Sequence, residues 1–164
     1  MSQQHDVSPE QPAIVPAGEG ETIWFDGNVY TVKISGKATN GALSVLESSI
    51  LPGCGPPPHV HTESDEVFHV LSGQLEFQVG DSRFTGKAGD YVFVPHGTPH
   101  CFKNVGVHVA HTIFAYTPAG FEEFFLASGQ PAVPSTPVPQ WGPEEFAKAV
   151  AIAPRFGWEG PSTK

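Results

Sequence analysis

Between Thr22 and Thr117 the chain is a succession of short strand-like runs: TIWFD, NVYTVKIS, ALSVLESSI, EVFHVLS, QLEFQVG, SRFTG, YVFVP, HCFKN and VHVAHTIFAYT. Turn residues separate them, as at Asp26-Gly27, Ser72-Gly73, Gly80-Asp81 and Gly89-Asp90. In QLEFQV the alternation is strict, with Leu75, Phe77 and Val79 on one face and Gln74, Glu76 and Gln78 on the other. Many short strands with half-apolar faces must close on themselves or on a second sheet, which predicts a β-sandwich or barrel. The 18 glycines and 17 prolines supply the turns that such a fold needs.

After Thr117 the period changes. AGFEEFFLASG places Phe121, Phe124, Phe125 and Ser128 at helical spacing, with Glu122 and Glu123 in the first turn and Gly129 as a stop. GQPAVPSTPVPQ reads as a proline-rich, semi-rigid connector. PEEFAKAVAIA starts a second short helix at Pro143, carries Phe146, Ala149, Val150 and Ala153 on one stripe, and ends before Pro154. The expected organisation is a flexible arm over residues 1–20, an all-β barrel over 21–118, and a helical cover and tail over 119–164, without internal repeats.

Eight basic against 17 acidic residues give a net charge of −9, which argues against nucleic acid and anionic membrane surfaces as partners. The first twenty residues lack a basic head followed by an apolar run, and no apolar stretch reaches spanning length, so a soluble, cytoplasmic protein is expected. Cys54 and Cys101 are distant in sequence and read as free thiols.

The chemistry concentrates in GCGPPPHVHTESDEVFHVLSG. On a strand, His59 and His61 point the same way and form a bidentate pair for a metal. From Gly53 to Gly73 the chain spells G-x5-H-x-H-x4-E-x6-G, and from Gly89 to Asn104 it spells G-x5-P-x-G-x2-H-x3-N. In both blocks it resembles the cupin superfamily. That resemblance implies a double-stranded β-helix, or jelly-roll barrel, followed here by the two short C-terminal helices. It also implies that His59, His61, Glu66 and His100 ligate one divalent ion. Mixed nitrogen and oxygen donors suit Fe, Ni, Mn, Co, Cu or Zn better than Ca or Mg, and four protein ligands leave coordination positions open.

A second resemblance lies in the first helix. Gly120, Glu122, Phe124, Phe125, Gly129 and Pro131 fall on a G-x-E-x-F-F-x-x-x-G-x-P segment seen in single-domain cupins that resemble quercetin 2,3-dioxygenase, and RFGWEGP is similar to the tail of such proteins. The resemblance implies an oxygenase acting with O2 on a flavonol-like, polyphenolic or enolizable substrate, with Glu66 as the catalytic base. Two rival readings keep the fold. One is a non-redox decarboxylase, isomerase, dehydratase or cyclase acting on a polyketide-like molecule, and the other is a small-molecule binding protein whose metal is structural.

Strand parity sorts the remaining residues. Phe68, Phe77 and Phe102 share the facing of the ligands, Phe114 or Tyr116 can join them from the last strand, and Phe121 and Phe125 pack at the barrel mouth. Together these are the expected substrate-binding aromatics. Val67 and His69 should point outward, His96 sits in a solvated turn, and at most one of His108 and His111 can reach the interior. By resemblance a homodimer is expected, with TIWFD and NVYTVKIS as interface elements.

Overall fold

The computed structural model describes residues 12–160. Most of the expected N-terminal arm, residues 1–11, lies outside the described residues. The part that is described is tied down, because the Lys33 ammonium donates to the carbonyls of Pro16 and Glu19 at 2.9 and 2.6 Å.

The strands are β1 (Glu21–Phe25), β2 (Asn28–Ile34), β3 (Ser44–Ile50), β4 (Val60–His61), β5 (Asp65–Ser72), β6 (Gln74–Val79), β7 (Ser82–Lys87), β8 (Tyr91–Val94), β9 (His100–Lys103) and β10 (Ala110–Thr117). Helix α1 (Glu122–Ser128), β11 (Gln130–Pro131), α2 (Pro143–Ile152), a 3-10 turn (Ala153–Phe156) and β12 (Trp158–Glu159) complete the chain. A seven-stranded antiparallel sheet in the order β11-β1-β2-β3-β10-β5-β8 faces a three-stranded sheet, β7-β6-β9. A paired bridge between His59 and His100 joins β9 to the small β12-β4 ribbon. The mostly antiparallel, two-sheet jelly roll with two short helices is the fold that the strand pattern and the cupin motifs imply.

Two of the sequence turns are true hairpins. Asp26-Gly27 closes β1 on β2, and Gly80-Asp81 closes β6 on β7. Ser72-Gly73 and Gly89-Asp90 do something else: each carries the chain from one sheet to the other, β5 to β6 and β7 to β8. Gly73 sits at φ +78°, and a Cβ there would come within 2.9 Å of the Ala110 Cα, so the crossing requires glycine. These crossings turn a run of hairpins into a closed barrel.

The C-terminal third is woven into the sheets. Gln130 and Pro131, inside the expected connector, pair with Trp24 and Ile23 and cover the outer edge of β1. Trp158 and Glu159 pair with His61 and Val60. Pro154 ends α2 as an α-helix, yet the chain continues through the 3-10 turn that aims Trp158 at the barrel. The core of Leu46, Ile50, Phe68, Val70, Leu75, Phe77 and Phe114 is wholly buried between the two large sheets.

Candidate metal centre

The four ligand candidates come from three pieces of backbone. His59 and His61 flank Val60 on the β4 ribbon, Glu66 is the second residue of β5, and His100 opens β9. The His59–His100 bridge, with N···O distances of 2.9 and 2.8 Å, locks two of them side by side. Upstream, Gly55 lets the Pro56–Pro58 segment lie against β9, since a Cβ at Gly55 would fall 2.0 Å from the Phe102 carbonyl oxygen.

All four side chains are buried, and one donor atom from each lies within 4.8 Å of all the others. His59 Nδ1 is 2.8 Å from the Pro57 carbonyl and His100 Nδ1 is 2.9 Å from that of Thr98. A ring nitrogen facing a carbonyl must be the protonated one, so His59 Nε2 is left with its lone pair toward the cluster, while His100 Nε2 lies 2.9 Å from Glu66 Oε2. His61 goes further. Both of its ring nitrogens are buried and neither has a geometrically formed hydrogen bond among the described residues, the Nε2 lying 3.2 Å from Glu66 Oε2. Buried imidazole nitrogens with nothing to bind are costly unless another acceptor of their lone pair is present. Together the orphaned His61 nitrogens, the pre-set tautomers and the close carboxylate fit a divalent transition metal.

Burial and mutual contact set the charge state of these groups. Burial, reinforced by the neighbouring His100 and His61, pushes His59 down to about 3, so it stays neutral. For Glu66 burial acts upward, but His61 and His100 outweigh it and hold the carboxyl well below the usual range. His100 is lowered by burial and raised more by its 2.9 Å contact with Glu66 Oε2, so its net shift is upward. Tyr116, opposite Glu66 in the β5–β10 register, is held well above the usual phenol range by burial and by that carboxylate, and it stays protonated.

His59, His61 and Glu66 line a cavity of about 110 Å³. Phe102, Phe114, Tyr116, Phe121 and Phe125 line it, as their facing predicts. Phe68 and Phe77 do not. They share the inward facing but lie deeper, where Phe68 packs edge-on against Phe77, Phe102 and Phe114 at 5.0–5.6 Å, so parity set their side of the sheet but not their depth. Neither His108 nor His111 reaches the interior. His108 precedes β10 in an exposed loop, and His111 is on the outer face, with Nδ1 3.1 Å from Ser49 Oγ. His69 is outward too and stacks on Tyr91.

Sequence reasoning missed a second half of the wall: Phe25, Tyr30, Trp141, Phe146, Val150 and Trp158. Trp158 stacks on His59 with ring centroids 5.7 Å apart. Alternation in β2, where Asn28, Tyr30 and Val32 are buried, is the signal that could have found Tyr30, but no periodic signal connects Trp141 or Trp158 to the barrel.

Residues 46–116 match the family described as Cupin domain, and the chain carries a cupin domain resembling that of quercetin 2,3-dioxygenase. With quercetin 2,3-dioxygenase of Bacillus subtilis it shares 34% identity over 100 residues, covering 60% of this chain and 30% of that protein. It is 30% identical over 81 residues to the polyketide synthase CurC of Streptomyces cyaneus, covering 49% and 51% of the two chains. The matched region thus spans about a third to a half of these two relatives. Among solved structures, a predicted oxalate decarboxylase of Thermotoga maritima superposes with a TM-score of 0.60 at 20% identity, over 65% of this chain and 99% of that one. None of the described helices is long and apolar enough to cross a membrane.

Proposed function

We propose that the protein is a metal-dependent oxygenase acting with O2 on a small phenolic or enolizable substrate. One observation carries the reading: three imidazoles and a carboxylate, all buried, converge on one point, and three of them, His59, His61 and Glu66, open onto a cavity lined mainly by aromatic rings. His59, His61, Glu66 and His100 would hold the ion. Three neutral imidazoles and one carboxylate leave a divalent ion with a net positive charge, which favours an anionic phenol or enol oxygen and, for a redox-active ion, reaction with O2.

The chain's own groups do the rest. Glu66 Oε2 faces His61 and His100, and the carboxylate, which also lines the cavity, is the chain's group for taking the substrate's hydroxyl proton. Tyr116 stays a phenol beside it and can donate to the resulting oxygen. Phe114, Phe121 and Phe125 confine a flat ring and exclude water. An apolar cavity of about 150 Å³ in another protein accepts benzene, so a cavity of about 110 Å³ takes at most a single ring without widening. A three-ring flavonol would need the α2 cover displaced or would leave rings in the mouth.

Metal analysis paired with oxygen uptake on catechols, 1,3-diones and flavonols tests this. The expected result is O2 consumption with at least one of them, abolished by chelation and at least 100-fold slower in Glu66→Gln at saturating metal. Equal conversion under nitrogen would instead favour a non-redox reaction on a polyketide-like substrate, the reading that the similarity to CurC supports. No conversion under either gas by metal-loaded protein would overturn both. We further propose a cytoplasmic homodimer, for which a monomeric mass by light scattering is the refuting result.

A further inference from the structure

The short ribbon that follows the 3-10 turn reaches back to the strand carrying two of the ligand candidates. Trp158 pairs with His61 and Glu159 with Val60, and the Gly157 carbonyl accepts the Thr62 N–H at 2.8 Å and the Thr62 hydroxyl at 3.2 Å. Gly157 sits at φ +73°, and a Cβ there would lie 3.0 Å from Thr62 Oγ1, so the turn that delivers Trp158 suits glycine. The Gly97 N–H donates to the His61 carbonyl at 2.7 Å. β4 is only two residues long, and a strand that short keeps its place through partners elsewhere in the chain.

The two histidine rings on this strand are held by different means. His59 has the Pro57 carbonyl against Nδ1 at 2.8 Å, and the Trp158 indole lies nearly parallel to its ring, at 19° with centroids 5.7 Å apart. A single hydrogen bond leaves an imidazole free to rock about it, and a flat ring against its face restricts that motion. The His61 ring has no formed hydrogen bond among the described residues. Phe121 at 4.1 Å and Tyr116 at 5.4 Å pack edge-on to it, so its aim depends on packing and on the backbone that β12 pairs with.

We propose that β12 is a clamp on the metal centre, in which Trp158 is a positioning residue that holds the His59 ring in its ligating orientation while the β12–β4 pairing holds His61 in place. The inference rests on the reading of the four residues as an ion site, but it depends neither on O2 nor on the identity of a substrate. The clamp also ties the centre to the cavity cover. α2 runs directly into the 3-10 turn, with only Gly157 between that turn and β12, and Phe146, Ala149, Val150 and Ala153 of this stretch line the cavity.

Zinc affinity of the full chain tests the clamp, measured by competition with a chromogenic chelator at a temperature where circular dichroism shows each variant folded. Trp158→Ala is expected to bind zinc at least tenfold more weakly than wild type, as the loss of an outer contact to a metal-ligating histidine predicts. Trp158→Leu, which fills much of the space without a flat face, should fall with it and serves alone where the alanine variant does not fold. Trp158→Phe, which keeps a ring against His59, should stay within about threefold of wild type. Phe84→Ala removes a ring that stacks on Phe77 at 5.7 Å, away from the cavity lining, and should lower the melting temperature with zinc affinity unchanged. In cobalt-loaded protein the visible ligand-field bands should shift in Trp158→Ala and match wild type in Trp158→Phe. Equal zinc affinity or unchanged cobalt bands in Trp158→Ala overturn the clamp, and so does a loss as large as that of Trp158→Ala in either Trp158→Phe or Phe84→Ala. Wild-type protein that binds neither ion overturns the metal centre and the clamp with it, so the two readings fail in distinguishable ways.

Discussion

Two carboxylates in this molecule are almost equally buried, Glu66 at 2% exposure and Glu122 at 1%, and their surroundings could hardly differ more. Glu122, at the start of α1, accepts the Gly36 N–H on Oε1 and the Gly120 N–H on Oε2, both at 2.7 Å. Its partners are backbone amides, which never change charge, and it ties the β2–β3 loop to the chain entering α1. Glu66 faces imidazoles instead, groups that can gain or lose a proton or take a metal. A buried carboxylate met by amides is a structural tie, whereas one met by titratable rings and an open cavity is equipped for chemistry.

The largest effect should come from breaking the structural member of the pair. Glu122→Ala leaves two buried N–H groups unpaired, a loss of about 2–5 kcal/mol and roughly 5–15 °C in melting temperature, read by thermal unfolding of the metal-free protein. Glu66→Gln in the same assay should cost less than about 1 kcal/mol, because the facing imidazoles can shed their protons once the negative charge is gone. If the two variants were equally destabilised, the contrast would fail.

A smaller effect sharpens the functional half. Zinc at a hundred times its dissociation constant should stabilise wild-type protein by about 2.7 kcal/mol. Glu122→Ala should keep that increment and Glu66→Gln should lose most of it, as measured by unfolding with and without metal. Retention of the full increment in Glu66→Gln would remove Glu66 from the ligand set.

The smallest expected effect is a slope with pH. His59 is held near 3 in the folded chain and takes a proton at about 6.5 when unfolded. Between those values the unfolded state binds more protons, so this residue withdraws stability as pH falls through that window. His59→Gln should therefore make metal-free protein less acid-sensitive between pH 6.5 and 4, with its unfolding free energy gaining on wild type as pH drops. His100 shifts the opposite way, its Glu66 contact adding stability below its unfolded value and losing it as pH rises, so replacing His100 should not reproduce that gain.

Much of the centre was legible because strand periodicity is a local rule. The spacing of His59 and His61 fixed a common facing, the parity of Phe68 and Val70 against Val67 and His69 was correct, and the motif glycines marked the sharp approaches. Depth was not legible. Phe68 and Phe102 share a facing, yet only Phe102 reaches the cavity, because depth depends on the tilt and closure of two sheets. Trp141 and Trp158 were invisible for a related reason. The segment before α2 has no repeating pattern, and its path over the barrel follows from Gln130–Pro131 pairing with β1 and Trp158 pairing with β4.

The sequence by itself determined that short alternating strands must close into a β-sandwich or barrel, which faces point inward, and that His59 and His61 share a facing, since turn chemistry and two-residue alternation act within a few residues; the addition of Glu66 and His100 to the centre was legible through the cupin motifs. The tertiary structure alone decided which aromatics line the cavity and how much room they leave. Those properties depend on packing between segments more than a hundred residues apart, where the outcome is set by the shape of the closed barrel and by no local preference of the chain.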